Sequence, residues 1–272
     1  IAAVIASMLL FPCRDTLRWF CNQRPQARPF LSKTIGVTKD YCNFPKYQAS
    51  AGLLNALSVH IPIVLMRVAF SDAWAGWYFM GWRLLAAPVN ILSQAVGQIF
   101  YRDSAERERN GLPQGIVLER IVVGLIQTSF LPALALYIIS PFMVNTFMGS
   151  EWSPVSIVLQ ILLISSVAAF FTSPISTILN VKSLQKIALY FNILIFICRI
   201  SAVSFGWAIN RPLVSVAGYS FTSLIVYLLF AGFIIRSTSG NIYRVFKPVY
   251  PMLIDAILIF TMYKLISLLS YF

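Results

Sequence analysis

Residues 152–181 read WSPVSIVLQILLISSVAAFFTSPISTILNV, thirty consecutive positions without a charged side chain, closed by Lys182. About 20 apolar residues in a helix cross the roughly 30 Å hydrocarbon layer of a bilayer. This run is long enough to span one and too long for an ordinary core helix. Outward from it the same pattern repeats at 47–66, at 84–101 with a start near Ala75, and at 121–150, 187–208, 212–235 and 248–270. Of these, 187–208 is interrupted by Arg199, and 248–270 carries Asp255 and Lys264. Over 272 residues the chain is 58% hydrophobic and 11% charged, with mean hydropathy +0.77. Soluble domains are about 25% charged, so that class is excluded. High hydrophobicity excludes a disordered chain. Four cysteines without metal-ligand spacing exclude a disulfide scaffold and a zinc module. The fold class is all-α, a polytopic transmembrane helix bundle.

Lys and Arg resist translocation and mark the cytoplasmic loops. Residues 12–46 hold Arg14, Arg18, Arg24, Arg28, Lys33, Lys39 and Lys46. The next basic connection holds Arg102, Arg107 and Arg109, with Arg120 at the following helix entrance. Later ones hold Lys182 and Lys186, then Arg236, Arg244 and Lys247. The alternate connections, near Ser71, Ser140–Glu151 and Asn210, hold only Arg211 among cations. Sixteen positives on one side against one on the other fix the orientation. They also account for most of the +12 net charge without nucleic acid as a partner. The organisation expected is the end of a truncated helix at 1–11, a basic cytoplasmic linker at 12–46, a six-helix lobe at 47–235, a cytoplasmic loop at 236–247 and a further span at 248–272.

An ionised side chain inside a bilayer costs a few kcal/mol or more and faces a cavity, a partner or the interface. Arg83, Asn90, Gln94 and Gln98 fall within roughly 80° of arc at about 100° per residue, with Gly97 beside them. That face lines either water or a neighbouring helix. On the preceding span Gln48, Asn55 and Pro62 share one side, and His60 and Arg67 share a second. Gln185, Asn192 and Arg199 repeat at sevens. Arg199 either bonds a neighbouring helix's carbonyls or faces a cavity. The candidate substrate-binding residues are Arg83, Asn90, Gln94, Gln98, Arg67, Asn55, Arg199 and Asn192. Pro174, flanked by Thr172, Ser173, Ser176 and Thr177, marks a kink and a hinge candidate, because proline removes a helical hydrogen bond that nearby hydroxyls can replace. His60 is the single histidine and reads first as a hydrogen-bonding group of the bundle, second as a proton carrier. Residues 102–109 (RDSAERER) alternate sign like a solvated helix end. No carboxylate pair lies in a span, no nucleophile has a matching base, and no Gly-rich phosphate loop precedes a helix. The chain therefore reads as a non-enzyme with no cofactor and no metal.

The residues also carry a resemblance. Residues 41–47 (YCNFPKY) precede a helix bearing Leu54-Asn55; 75–88 (AGWYFMGWRLLAAP) and 94–101 (QAVGQIFY) follow; then 147–152 (FMGSEW) and 173–176 (SPIS). In order and spacing this resembles the second half of a polysaccharide or O-antigen flippase, an oligosaccharide flippase family of the multidrug/oligosaccharidyl-lipid/polysaccharide exporter superfamily. The resemblance implies two lobes of six helices around a central cavity, with 47–235 as the C-terminal lobe. It implies translocation of a polyprenyl-diphosphate-linked oligosaccharide for surface polysaccharide biosynthesis, O-antigen of lipopolysaccharide included. The expected setting is the bacterial cytoplasmic (inner) membrane, and the expected partners are the lipid-linked oligosaccharide, membrane lipids and other polysaccharide assembly proteins. Arg83 and Arg199 resemble arginines of the family; Arg67 is a candidate on physical grounds alone. The turn at Asn180-Val-Lys182 departs from the family, which often has Gly there. Two other functions fit an apolar chain of this size: a drug or small-molecule antiporter of the same superfamily, or a membrane glycan polymerase or ligase. The first needs an intramembrane carboxylate, for which Asp255 is the one candidate; the second tends to carry a large outer loop with catalytic residues. A scaffold without transport leaves the intramembrane arginines unexplained.

Overall fold

The computed structural model describes residues 43–182, 184–248 and 250–251. The leading run at 1–11, nearly all of the linker and the span at 248–272, with Asp255 and Lys264, lie outside the described residues. The elements described are, in order, α1 Asn43–Ala69, α2 Asp72–Arg109, α3 Gly115–Met148, α4 Ser153–Ser176, α5 Ile178–Val181, α6 Gln185–Ala208, α7 Pro212–Ser237 and α8 Ile242–Phe246. A 3-10 turn, Ser150–Trp152, leads into α4. No strand occurs among the described residues. Six stretches are long and apolar enough to cross a membrane, matching the six spans expected at 47–235, and all belong to a unit that begins at Gln48.

The solvated helix end read at 102–109 is present, and one basic connection carries a further short helix. α2 runs through the basic connection to Arg109. Its last turns leave the apolar run at Tyr101 but keep helix-forming residues and an i,i+4 pair in which Arg107 Nε lies 2.9 Å from Asp103 Oδ2. The loop at 236–247 contains α8, whose N-cap Asn241 accepts the Tyr243 N–H at 2.9 Å.

α4 is the central helix, packed against α2, α3 and α7, with α6 packed on α7. Its apolar residues cover the whole circumference, the pattern of a helix enclosed by others. Its two halves serve two cores. Towards the end bearing Ser71 and Asn210, Val158, Leu159 and Leu162 meet Met66, Tyr78, Leu85, Val203, Val216 and Tyr219. Towards the basic end, Phe171, Ile175 and the following Ile178 and Leu179 meet Phe100, Leu118, Val122 and Ile234. That end is tied by polar contacts. Lys182 Nζ donates to the Ser237 carbonyl at 2.8 Å, and buried Glu119 accepts the Asn241 N–H at 2.5 Å.

Small residues let α6 and α7 approach closely, as membrane helices require when apolar burial alone gives little drive. A Cβ placed on Gly206 would stand 2.5 Å from the Ser215 backbone nitrogen, and one on Gly218 would stand 3.2 Å from Ala202 Cβ. Only glycine fits at 206.

Prolines interrupt the spans, and at two of them a neighbouring helix repairs the loss. Pro174 has no N–H for the carbonyl of Phe170, one turn back. Ser93 Oγ of α2 donates to that carbonyl at 3.3 Å. Pro141 frees the carbonyl of Tyr137, which accepts from Gln160 Nε2 of α4 at 2.9 Å and Ser140 Oγ at 3.1 Å. The hydroxyls flanking Pro174, expected to replace its bond, act elsewhere: Thr177 Oγ1 donates to the Pro174 carbonyl and Ser176 Oγ to the Ser173 carbonyl. They close the end of α4, which breaks at Thr177 before α5. Replacing buried Ser93 with Ala leaves the Phe170 carbonyl unpaired in an apolar interior. We expect a loss of about 1–3 kcal/mol of stability, read as a lowered unfolding midpoint in detergent, with Ser93→Thr close to wild type. An unchanged midpoint for Ser93→Ala would show that the carbonyl has another partner.

Candidate functional site

A cavity of about 610 Å³ lies between α1, α2, α4, α6 and α7. Its volume falls within the roughly 300–1,000 Å³ of pockets that enclose a small ligand. The buried positions of α1 show how it forms. Ala51, Ser58, Pro62 and Met66 make one stripe at helical spacing. Asn55 belongs to the same stripe, yet it is exposed to the cavity. The helix face that touches the bundle at its two ends stands away from it in between. Pro62 also cannot donate to the Ser58 carbonyl, so α1 is weakest at this level.

Arg199 of α6 occupies the wall of the cavity and is 4% exposed. Its Nε donates to Ser223 Oγ at 2.8 Å, Nη1 to Ser58 Oγ at 2.9 Å and Nη2 to the Tyr227 hydroxyl at 3.0 Å. The guanidinium carbon lies 4.6 Å from the Tyr219 ring centroid and 5.6 Å from that of Tyr227. Both serines spend their own protons on backbone. Ser58 Oγ donates to the Asn55 carbonyl at 2.9 Å and Ser223 Oγ to the Tyr219 carbonyl at 2.6 Å. Their lone pairs are thereby aimed at the guanidinium. The acceptors are hydroxyls on α1 and α7, not the backbone carbonyls that were the alternative from sequence. Among the described residues no carboxylate pairs with Arg199, and none lines the cavity. A guanidinium has five N–H donors; three are used here, and two have no acceptor among the described residues.

Beyond Arg199 the wall is uncharged and mixed, polar groups alternating with apolar ones such as Val59, Val89, Leu162 and Phe230. Asn55, Asn90, Asn180 and Asn192 come from α1, α2, α5 and α6. Asn192 Nδ2 donates to the Ala188 carbonyl at 2.7 Å, which leaves its amide oxygen as an acceptor. α4 adds Ser165, Ser166, Thr172, Ser173 and Ser176, and its C-cap adds Thr177. Thr172 Oγ1 is buried and has no hydrogen-bond partner among the described residues. His60 and Trp82 complete the lining. No group of three or more His, Cys, Asp or Glu able to hold a metal occurs among the described residues.

The candidates read from the sequence divide. Asn55, Asn90, Asn192 and Arg199 line the cavity together. Arg83, Gln94 and Gln98 do not; they are exposed on the face of α2 that borders Asn90 at the cavity's edge. Arg83 stands 5.9 Å over the Phe79 ring. Arg67 departs furthest from expectation. It points away from the cavity and pairs with Asp72 at 2.5 Å between the end of α1 and the start of α2, both side chains largely exposed. A pair so exposed contributes little to stability. Pro174 does not line the cavity, although its neighbours Thr172, Ser173, Ser176 and Thr177 do. Sequence reasoning missed Tyr219, Tyr227, Ser223 and Trp82. The one available signal was the spacing of Tyr219, Ser223 and Tyr227 at fours, a polar stripe along α7.

If the cavity holds water, its walls react with aqueous reagents. In a background with the native cysteines replaced, Asn55→Cys and Asn192→Cys should be modified by a charged, membrane-impermeant thiol reagent. Val203→Cys, wholly buried in the opposite core, should not. Equal protection of all three would show the cavity to be dry.

A family model described as polysaccharide biosynthesis protein matches residues 14–157, a little over half of the chain. No curated protein and no solved structure matches it significantly.

Proposed function

The chain belongs to the polysaccharide biosynthesis protein family, and from that premise we propose that it moves a polyprenyl-diphosphate-linked oligosaccharide across the bacterial cytoplasmic membrane. The observation that carries this reading is Arg199, a buried cation on the cavity wall with neutral partners and two unused donors. A guanidinium held by hydroxyls alone keeps its charge uncompensated, and removing that charge from water costs several kcal/mol. A ligand that brings negative charge offsets this cost. Phosphate oxygens match the fork of Arg and give charge-assisted hydrogen bonds.

The remaining wall suits a sugar. Amides and hydroxyls present donors and acceptors of both kinds, and none carries a charge that would compete with the anion for Arg199. Translocation needs no covalent step. The glycan head group enters the polar cavity while its lipid tail stays in the bilayer, and the cavity then opens to the other side by alternating access. The absence of a carboxylate from the described lining argues against a cationic drug as cargo. Assembly proteins of the same surface polysaccharide are the proposed partners after release.

In the full-length protein, Arg199→Gln should lower transport at least about tenfold, the scale of a lost charged hydrogen bond. Lipid-linked repeat units should then accumulate on the cytoplasmic leaflet. Arg199→Lys, which keeps charge but not the fork, should fall between. Full transport by Arg199→Gln at normal folded yield would sink the reading, and repeat units accumulating on the outer leaflet would assign the protein to polymerisation or ligation instead.

A further inference from the structure

Tryptophan in membrane proteins concentrates at the two interfaces, where an apolar ring with one polar edge is at home. Trp74 and Trp77, in the first turns of α2, fit that rule and pack edge to face with centroids 5.0 Å apart. Trp82 does not. At about 1.5 Å per residue it lies about 15 Å from the Asp72 end of α2, half the thickness of a hydrocarbon layer. His60 lies about 14 Å from the Ala69 end of α1, and Arg199 about 14 Å from the Ala208 end of α6. An indole, an imidazole and a guanidinium thus share one level at the middle of the membrane, and all three line one cavity.

Trp82 is fixed there. It packs against the core of Met66, Tyr78 and Leu85 on one side and meets Phe79 at 6.4 Å. The His60 ring stands against it at 6.0 Å and 66°, edge to face. None of the described residues hydrogen-bonds the indole N–H or the imidazole nitrogens. Two polar groups at mid-membrane depth without protein partners are costly unless water or a ligand satisfies them. Beyond this level towards the Ser71 end the interior is closed by the apolar core. Trp82, His60 and Arg199 therefore form the blind end of the cavity, while the asparagines line the part nearer the basic loops.

We infer that this blind end is a binding subsite for a single pyranose ring carrying or adjoining an anionic group: the ring lies on Trp82, its hydroxyls meet His60 and the indole N–H, and the anion sits on Arg199. The inference rests on the reading of Arg199 as the anion site and adds the sugar to it. The face of an aromatic ring is the negative end of its quadrupole, and the C–H bonds of a pyranose present weakly positive hydrogens to it. A pyranose is otherwise polar at its rim, which imidazole and indole N–H groups can hydrogen-bond. A bare phosphate or diphosphate has no C–H face and gains nothing from Trp82.

The test compares two soluble probes on the purified full-length protein, farnesyl diphosphate and farnesyl diphosphate carrying one glucose. The wild type should bind the glycosylated lipid about tenfold more tightly, the scale of one aromatic contact. Trp82→Ala should abolish that preference and leave the affinity for farnesyl diphosphate within about twofold. Trp82→Phe should keep most of it. His60→Ala, at an exposed position that the fold does not need, should remove part of it. A preference that survives both Trp82→Ala and His60→Ala overturns the subsite, as does an equal loss for both lipids. Arg199→Gln separates the two readings, because it should weaken both lipids alike. If it weakens neither, the anion site is wrong; if it weakens both while the Trp82 preference is absent, the anion site stands and the sugar subsite falls.

Discussion

The rest of the site depends on one uncompensated charge. Arg199 is held in the middle of a membrane lobe by Ser58, Ser223 and Tyr227, which supply oxygen atoms but no negative charge. A carboxylate at the same place would have been the cheaper way to stabilise the fold, since a buried guanidinium loses several kcal/mol of hydration that an ion pair partly returns. It would also have filled the guanidinium and left nothing for a ligand. Neutral hydroxyls orient the group and do not neutralise it. The two aromatic rings at 4.6 and 5.6 Å add attraction of the same non-neutralising kind. On the function proposed above, this arrangement keeps an arginine free for an anion, at a cost to the empty lobe.

The same interaction joins helices that otherwise share little. Ser58 is on α1, which touches the bundle through its buried stripe and not at Asn55, and Arg199 spans from α6 to it across the cavity wall. Elsewhere backbone satisfaction governs the design. In hydrocarbon each freed carbonyl must find a donor, and a side chain on a neighbouring helix supplies one for Phe170 and one for Tyr137. Those bonds make two proline breaks part of the packing. The end of α4 thus stops short of α5 with its carbonyls paired, and the hydroxyls that accomplish this face the cavity.

The six spans of the lobe were legible in the sequence because bilayer thickness and the exclusion of charge constrain every residue in them. The end of α2 was legible in a different signal, the alternating charges of 102–109. α2 continues past Tyr101 in water, where polar helix formers and the Arg107–Asp103 pair decide and hydropathy is silent. Of the site, the sequence showed which faces were polar but not what each face meets. On α2 the polar arc from Arg83 to Gln98 only borders the cavity at Asn90, whereas Ser93, a buried hydroxyl outside that arc, serves the Phe170 carbonyl. Arg67 stands at the end of its span and Arg199 inside its own; the structure adds that Arg67 pairs with Asp72 while Arg199 lines the cavity. The partners of Arg199 lie 24, 28 and 141 residues away in sequence. No periodicity within one helix connects such positions; the spacing of Tyr219, Ser223 and Tyr227 at fours shows a shared face but not the guanidinium it meets.

The order of chemistry along the cavity bears on how a polar head group would cross. Amides and hydroxyls occupy the half nearer the basic loops, and the cation with its aromatic neighbours stands at mid-depth before an apolar plug. A head group entering from the basic side first exchanges water for neutral hydrogen-bonding groups, a nearly even trade. Only at the middle, where its own desolvation is greatest, does it meet a fixed positive charge. Attraction that rises as hydration falls keeps the intermediate depth from becoming a barrier. A cation placed at the mouth would instead bind the head group where water still serves it and hold it there. Ser58 adds a consequence of this placement. The serine that helps hold Arg199 sits on the turn of α1 that Pro62 has weakened. The same hydrogen bond therefore ties the guanidinium to the part of the wall with the least backbone support.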